Sequence, residues 1–175
     1  MSVQVRDAAP ADLPGIAAIY AHHVRTGFAS FETEPPDLGE MTARFEAVRA
    51  KGFPWLACEV DGRLAGFAYA SLYRPRPAYR FTLEDSIYVH PELAGRGAGR
   101  ALLERLIERC GAIGCRQLVA VIGDSGNAAS VGLHSALGFR KAGTLASIGF
   151  KHGRWVDSVL MQRPIGPGDT TLPEE

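Results

Sequence analysis

Glu84 and three closely spaced glycines, Gly95, Gly97 and Gly99, are the residues whose types and spacing point most directly to chemistry. Glu84 opens the run Glu84-Asp85-Ser86-Ile87-Tyr88-Val89-His90-Pro91, which reads as a strand ending at a proline. Leu93-Ala94-Gly95-Arg96-Gly97-Ala98-Gly99-Arg100 follows at once and leads into an amphipathic helical run. A strand, a glycine turn and a helix in this order leave unpaired N–H groups at a helix N-terminus. Such a site binds anions, above all phosphate or pyrophosphate. An upstream carboxylate on the same strand is a candidate base, and the pair points to an enzyme with a phosphorylated cofactor.

Two familiar phosphate sites are excluded by position. A dinucleotide-binding turn follows the first strand of a βαβ unit and has an acid about twenty residues on. Here the turn follows the fourth strand, and no acid closes the next strand in that way. A nucleoside-triphosphate loop ends in Gly-Lys-Ser/Thr, whereas Gly99 is followed by Arg100 and Ala101.

The 175 residues suit one domain with a sizeable core, and 46% hydrophobic with 22% charged residues is ordinary for a soluble globular protein. Lys plus Arg equals Asp plus Glu at 19 each, so no global basic field exists to collect nucleic acid or anionic lipid. Cys58, Cys110 and Cys115 lack zinc-ligand spacing and read as buried free thiols in a reducing compartment. With no metal-ligand cluster, signal peptide or membrane-length apolar run, the expectation is a cytoplasmic protein without a metal.

The elements that must position the chemistry follow from periodicity. Ser2 to Arg6 reads as a strand, and Leu13 to about Val24 as a helix with Leu13, Ile16, Ala17, Ile19 and Tyr20 on its apolar face. His22 and His23 sit at its end, where imidazoles suit the carbonyl dipoles. Thr26 to Asp37 is a loop, punctuated by Gly27, Pro35 and Pro36 yet carrying Phe28, Phe31, Glu32 and Glu34, a mix that fits a binding loop or a cover over the core. Leu38 to Lys51 is a second helix. Trp55 to Val60, the Asp61-Gly62 turn and Arg63 to Leu72 form a hairpin. Tyr73 to Tyr79 is irregular, Phe81 to Val89 is strand, and Arg96 to about Gly111 is helix with Leu102, Leu103, Leu106 and Ile107 inward. Arg116 to Ile122 reads as a strand covered on both faces. Ser125 to Leu137 reads as helix, and Arg140 to Ile148 and Trp155 to Met161 as closing strands. The predicted fold is mixed α/β, a mainly antiparallel central sheet with helices on both faces, forming one domain over 1–163 with a loose tail over 164–175.

Together with the glycine turn, Asn127-Ala128-Ala129-Ser130 leading through His134 to Leu137-Gly138-Phe139 resembles the GNAT acyl-CoA N-acyltransferases, from Val3 to Met161. The resemblance implies acetyl-CoA as cosubstrate, its pyrophosphate on the backbone amides of Gly95, Arg96, Gly97, Ala98, Gly99 and Arg100. It places Asn127 and Ser130 along the pantetheine arm. Ala94 departs from the Arg or Gln usual at that place, which shifts the work to main-chain N–H groups and to Arg96 or Arg100. His134 stands where many members carry a tyrosine that protonates the leaving thiolate. That histidine, with Phe31 to Pro35, Tyr79 to Val89, Val119 to Ile122, Gly149 to Gly153, Trp155 and Asp157, is similar to the phosphinothricin and methionine sulfoximine/sulfone acetyltransferases. This narrower resemblance implies a small amino-acid-like substrate and a homodimer in which Lys151 and His152 reach a partner's site.

The required chemistry is attack of an amine on a thioester, for which a proton must leave the amine. Glu84 is the candidate base, directly or through water; the alternative is a solvated or salt-bridged carboxylate. Asp85 alternates to the other face and reads as structural. Backbone N–H groups of Ile87, Tyr88 and Val89 would hold the thioester carbonyl. His134 is either the thiolate's proton donor or a residue packing on the cofactor. Arg74, Pro75, Arg76 and Arg80, with Thr82 and Phe31, form the candidate substrate site, because arginine forks bind carboxylate, phosphinate or sulfone oxygens; solvated surface is the alternative for at least one of them. The same reaction on another amine, or a non-catalytic acyl-CoA sensor, are the competing functions.

Overall fold

The computed structural model describes residues 1–174. The expected tail runs to Glu175, and that last residue lies outside the described ones. Seven strands form one sheet in the order β1-β2-β3-β4-β5-β7-β6. They are β1 (Val3–Asp7), β2 (Trp55–Val60), β3 (Arg63–Leu72), β4 (Thr82–Val89), β5 (Gln117–Gly123), β6 (Arg140–Lys151) and β7 (Arg154–Pro164). All neighbours pair antiparallel except β4 and β5. The helices are α1 (Leu13–Thr26), α2 (Leu38–Ala50), α3 (Ala98–Ala112) and α4 (Ala128–Ala136). The mixed, mainly antiparallel architecture expected from the sequence is therefore the one observed.

Strand alternation divides the core in two. On one face Leu56, Leu83, Leu118, Ala120, Val159 and Met161 pack with Leu102, Leu103, Leu106 and Cys110 of α3. On the other, Trp55, Ala57 and Phe67 pack with Ile16, Ile19, Tyr20 and Val24 of α1 and Met41 and Phe45 of α2. The three cysteines are free and buried, as their spacing implied. Among the described residues no helix is long and apolar enough to cross a membrane.

Three expectations need correction. β5 is not covered on both faces: Leu118, Ala120 and Ile122 are buried, but Val121 is 39% exposed toward an open cavity. A run of β-branched residues without polar alternation looks the same whether its second face meets protein or a ligand-sized space. α3 begins at Ala98 rather than Arg96, because Gly97 sits in the left-handed region at φ +85° and caps the helix. The tail is tied down over most of its length. Ile165 is buried in the core, its N–H donates to the Arg116 carbonyl at 3.0 Å, and the Arg116 guanidinium donates to the Gly168 and Leu172 carbonyls.

Candidate active site

β4 and β5 pair only from Thr82–Gln117 to Asp85–Ala120. Beyond that point they part, and a cavity of about 710 Å³ occupies the opening. On the other side of β4, Val89 stands opposite Gly66 and the His90 N–H donates to the Ala65 carbonyl at 2.8 Å. Antiparallel alternation then turns the N–H and C=O of Ile87 and Val89 into the opening. The Val89 carbonyl accepts from His23 Nε2 at 2.8 Å, which leaves the strand's N–H groups facing the cavity.

One end of the cavity is lined by Ala94, Gly95, Gly97, Gly99 and Arg100. Gly95 and Gly97 have φ values of +76° and +85°, a region in which a side chain is strained. α2 and α4 are capped by the side chains of Asp37 and Asn127, but α3 has no side-chain cap. Its first N–H groups and the positive end of its dipole are thus left for an anion. Asn127 Oδ1 accepts from the Ser130 N–H at 3.2 Å, and Asn127, Ala129, Ser130 and Leu133 line the adjoining wall. Arg100 borders the cavity and pairs with Glu104 at 2.8 Å. Of the expected cofactor contacts, the Tyr88 N–H turns toward β3 rather than into the opening, and Arg96 is exposed and not among the lining residues. The Ala98 side chain is buried in the core, which leaves its N–H at the first position of α3 for an anion.

Glu84 and Asp85 are consecutive, so they point to opposite faces of the sheet. Glu84 faces the α1–α2 side and the cavity. Burial, and then the charge of Asp85, push its carboxyl up to about 7, against a smaller opposing pull from Arg74. Asp85 is buried on the α3 side, both its oxygens 3.2 Å from His134 Nε2. His134 Nδ1 lies 2.8 Å from the Ser130 carbonyl. Burial opposes charge on this imidazole, but the Asp85 carboxylate and the Ser130 carbonyl outweigh it and hold its pKa above the ordinary range. Burial raises Asp85 as well, and the His134 hydrogen bond opposes that rise. His134 lines the cavity, yet is only 3% exposed with both ring nitrogens on protein acceptors.

The α1–α2 connection walls the α1 side. Tyr20 Oη donates to the Glu32 carboxylate, so the Ser30 hydroxyl must donate to Tyr20 across 2.8 Å, since a phenol has one proton. Arg44 grips both Glu32 oxygens at 2.7 and 2.9 Å, and the buried Lys151 ammonium donates to the Ser30 carbonyl at 2.6 Å. The Phe28 carbonyl and Phe31 ring rest on Gly123, and the Phe31 ring also rests on Gly149, where any Cβ would clash. Phe31 thereby lines the cavity, as expected. The other expected substrate residues do not. Arg74 is exposed over the Tyr73 ring, 5.1 Å from its centroid, and acts on Glu84 only through its charge. Pro75, Arg76 and Thr82 are not among the lining residues. Arg80 lies over the Phe81 ring at 4.6 Å and borders a different cavity, with Arg116 and Leu172. The short 3₁₀ turn Pro77–Tyr79 carries it to the side of the sheet.

Several lining residues have no sequence signature: His23, Ser30, Tyr69 and Ser158. His23 was visible as a helix-end imidazole, but its reach to Val89 depends on how α1 crosses the sheet. Lys151, read as reaching a partner, is turned inward to the loop of its own chain.

A parallel pair of strands that parts in mid-sheet, with an uncapped, glycine-led helix at the opening and an acid on the strand, defines an acyl-transfer fold. Comparison agrees: the acetyltransferase (GNAT) family profile matches residues 16–139. The chain belongs to that family. It is 63% identical over 163 residues to phosphinothricin N-acetyltransferase of Alcaligenes faecalis, covering 93% of this chain and 83% of that one. It is 44% identical over 168 residues to the L-methionine sulfoximine/L-methionine sulfone acetyltransferase of Pseudomonas paraeruginosa, covering 95% and 97%. A crystal structure of a GNAT superfamily phosphinothricin acetyltransferase from Sinorhizobium meliloti in complex with AcCoA superposes with a TM-score of 0.96 at 46% identity, covering 100% of this chain and 95% of that one.

Proposed function

We propose that this protein is an acetyl-CoA-dependent N-acetyltransferase for the α-amino group of small amino-acid analogues: phosphinothricin, methionine sulfoximine and methionine sulfone. The observation that carries the reading is Glu84, held near neutrality by burial at the place where β4 and β5 part. A base with that pKa suits removal of an ammonium proton at neutral pH. Acetyl-CoA supplies the thioester electrophile. The Gly95–Arg100 turn fits its pyrophosphate: α3 is uncapped there, and a Cβ added at Gly95 or Gly97 meets no atom within 4 Å. Arg100 adds charge at that end. Asn127 and Ser130 border the path of the pantetheine arm.

Glu84 takes one proton from the ammonium, the freed lone pair bonds to the thioester carbon, and the nitrogen of the tetrahedral intermediate then gives its second proton to solvent. The N–H groups of Ile87 and Val89 stabilise the oxyanion, and His23 fixes that strand by holding the Val89 carbonyl. The C–S bond then breaks, and the thiolate needs a proton. His134, bound to Asp85 and Ser130, acts as a positioning group for α4 against β4, while the thiolate's proton comes from Glu84 through solvent in the cavity. Arg74, outside the lining but near enough to lower Glu84, serves as a counter-charge for the substrate carboxylate.

The exposed Leu145, Ile148, Phe150 and Trp155 on β6 and β7 support association of two copies. Three free thiols fit a reducing cytoplasm. We treat 1–163 as one domain, with the following residues as its strap. Purified protein incubated with acetyl-CoA and a panel of these amines, with thiol release followed, tests the reading. Turnover on at least one is expected; none, from folded protein, sinks it.

A further inference from the structure

The stop at the end of α3 brings two thiols together. Gly114, in the left-handed region at φ +83°, carries the chain out of the helix. Its N–H donates to the Gly111 carbonyl at 3.1 Å, and the Cys115 N–H reaches back to the Cys110 carbonyl, also at 3.1 Å. In a helix stop closed by this pair of bonds, the residue after the left-handed glycine packs on the one whose carbonyl it holds. Here those residues are Cys115 and Cys110. The main-chain bond between them keeps their α carbons inside the span of about 4.4–6.8 Å that a disulfide bridges. Both belong to the core on the α3 side.

Their surroundings differ. Cys110 is fully buried, whereas Cys115 is 5% exposed and lines a second cavity of about 700 Å³ with Phe53, Phe81, Leu83 and Arg116. Contact with Cys110 lowers the Cys115 thiol, while contact with Cys115, and then burial, raises Cys110. Cys58 stands apart on β2, pushed up to about 11 by burial.

We infer that Cys110 and Cys115 are a reversible oxidation site: Cys115 meets a small hydroperoxide and Cys110 resolves the product as a disulfide. This is independent of acetyl transfer. The Cys115 thiolate attacks one oxygen of hydrogen peroxide, an S–O bond forms and the O–O bond breaks. The departing hydroxide becomes water with the proton the thiol gave up. The Cys110 sulfur then attacks Cys115, an S–S bond forms, and the sulfenic oxygen leaves with the Cys110 proton as a second water. The two thiols lose two electrons and one peroxide gains them. A dithiol reductant restores the pair. Without Cys110, the sulfenic acid is open to a second peroxide and to the irreversible sulfinic acid.

Trypsin cuts after Arg109 and Arg116, so one peptide, 110–116, carries both cysteines and Cys58 lies in another. The test treats folded wild type with hydrogen peroxide, then unfolds, alkylates and digests it for mass spectrometry. The 110–116 peptide should become two hydrogens lighter and resist alkylation, about tenfold or more faster than Cys58 is oxidised. A dithiol added before alkylation should return it to the doubly alkylated form. In Cys110→Ala, the same peptide should gain one and then two oxygens at Cys115, the second beyond the reach of the reductant. A wild-type peptide that takes up oxygen instead of losing hydrogen, or that stays doubly alkylated, overturns the inference. So does a Cys115 that resists peroxide in Cys110→Ala. The wild-type result decides the pairing whether or not that variant folds.

Discussion

Replacing Glu84 by Gln should make the protein more stable and the enzyme slower, each with its own pH dependence. The Glu84 carboxyl is raised from 4.5 to about 7 in the fold. A carboxyl so raised favours folding while protonated, so its contribution is intact below about pH 4.5. That contribution is lost as pH climbs toward and through 7. The interval between 4.5 and about 7 corresponds to about 3 kcal/mol at 1.36 kcal/mol per pH unit, and partial solvent access reduces this to about 1–2 kcal/mol. Glu84→Gln removes the ionisation and keeps the shape. Its stability gain over wild type should be about 1–2 kcal/mol at pH 8 and a small fraction of that at pH 5, measured by urea unfolding at the two pH values. In the same protein kcat should fall about a hundredfold or more, the usual contribution of a positioned base. The wild-type kcat/KM should rise about tenfold per pH unit below 7 and level off above it. A gain equal at both pH values, or a wild-type profile flat from pH 6 to 8, would refute the reasoning.

Asp85→Ala leaves the buried His134 without its counter-charge and should destabilise the fold by about 3–5 kcal/mol in urea unfolding. Gly123→Ala places a methyl 2.0 Å from the Phe28 carbonyl oxygen. The loop must move, so KM for the amine should increase more than KM for acetyl-CoA, with about 1–3 kcal/mol of stability lost. Lys151→Met removes the ammonium that holds the Ser30 carbonyl; faster amide hydrogen exchange confined to residues 28–36 is the expected result, and unchanged exchange there counts against the clamp. Gly97→Val forces a β-branched residue to φ +85° at the start of α3. It should weaken acetyl-CoA binding at least tenfold by calorimetry while Glu84 still titrates near 7.

Much of this site is local and could be read along the chain. Left-handed backbone favours glycine, so Gly95 and Gly97 announced an anion-binding helix start, and period-two alternation sent Glu84 and Asp85 to opposite faces. The hairpin from Trp55 to Leu72 appears with the bounds its Asp61-Gly62 turn implied. Where packing chooses among partners, the chain was silent. Arg74, Arg76 and Arg80 look alike in sequence, yet one acts on Glu84 through its charge, and Arg80 is carried to another cavity by a 3₁₀ turn. His134 reads along the chain as a proton donor or a residue packing on the cofactor, and nothing local points to Asp85, 49 residues away, which lies against it.

By itself, then, the sequence determined the family, the sheet-and-helix order, the anion cradle and the acid beside it, because each rests on backbone geometry set by adjacent residues. Tertiary structure alone decided that the Glu84 carboxyl is raised to about 7 and that His134 is bound on both sides. Burial and long-range pairing fix those properties, and neither is written in the spacing of neighbouring residues.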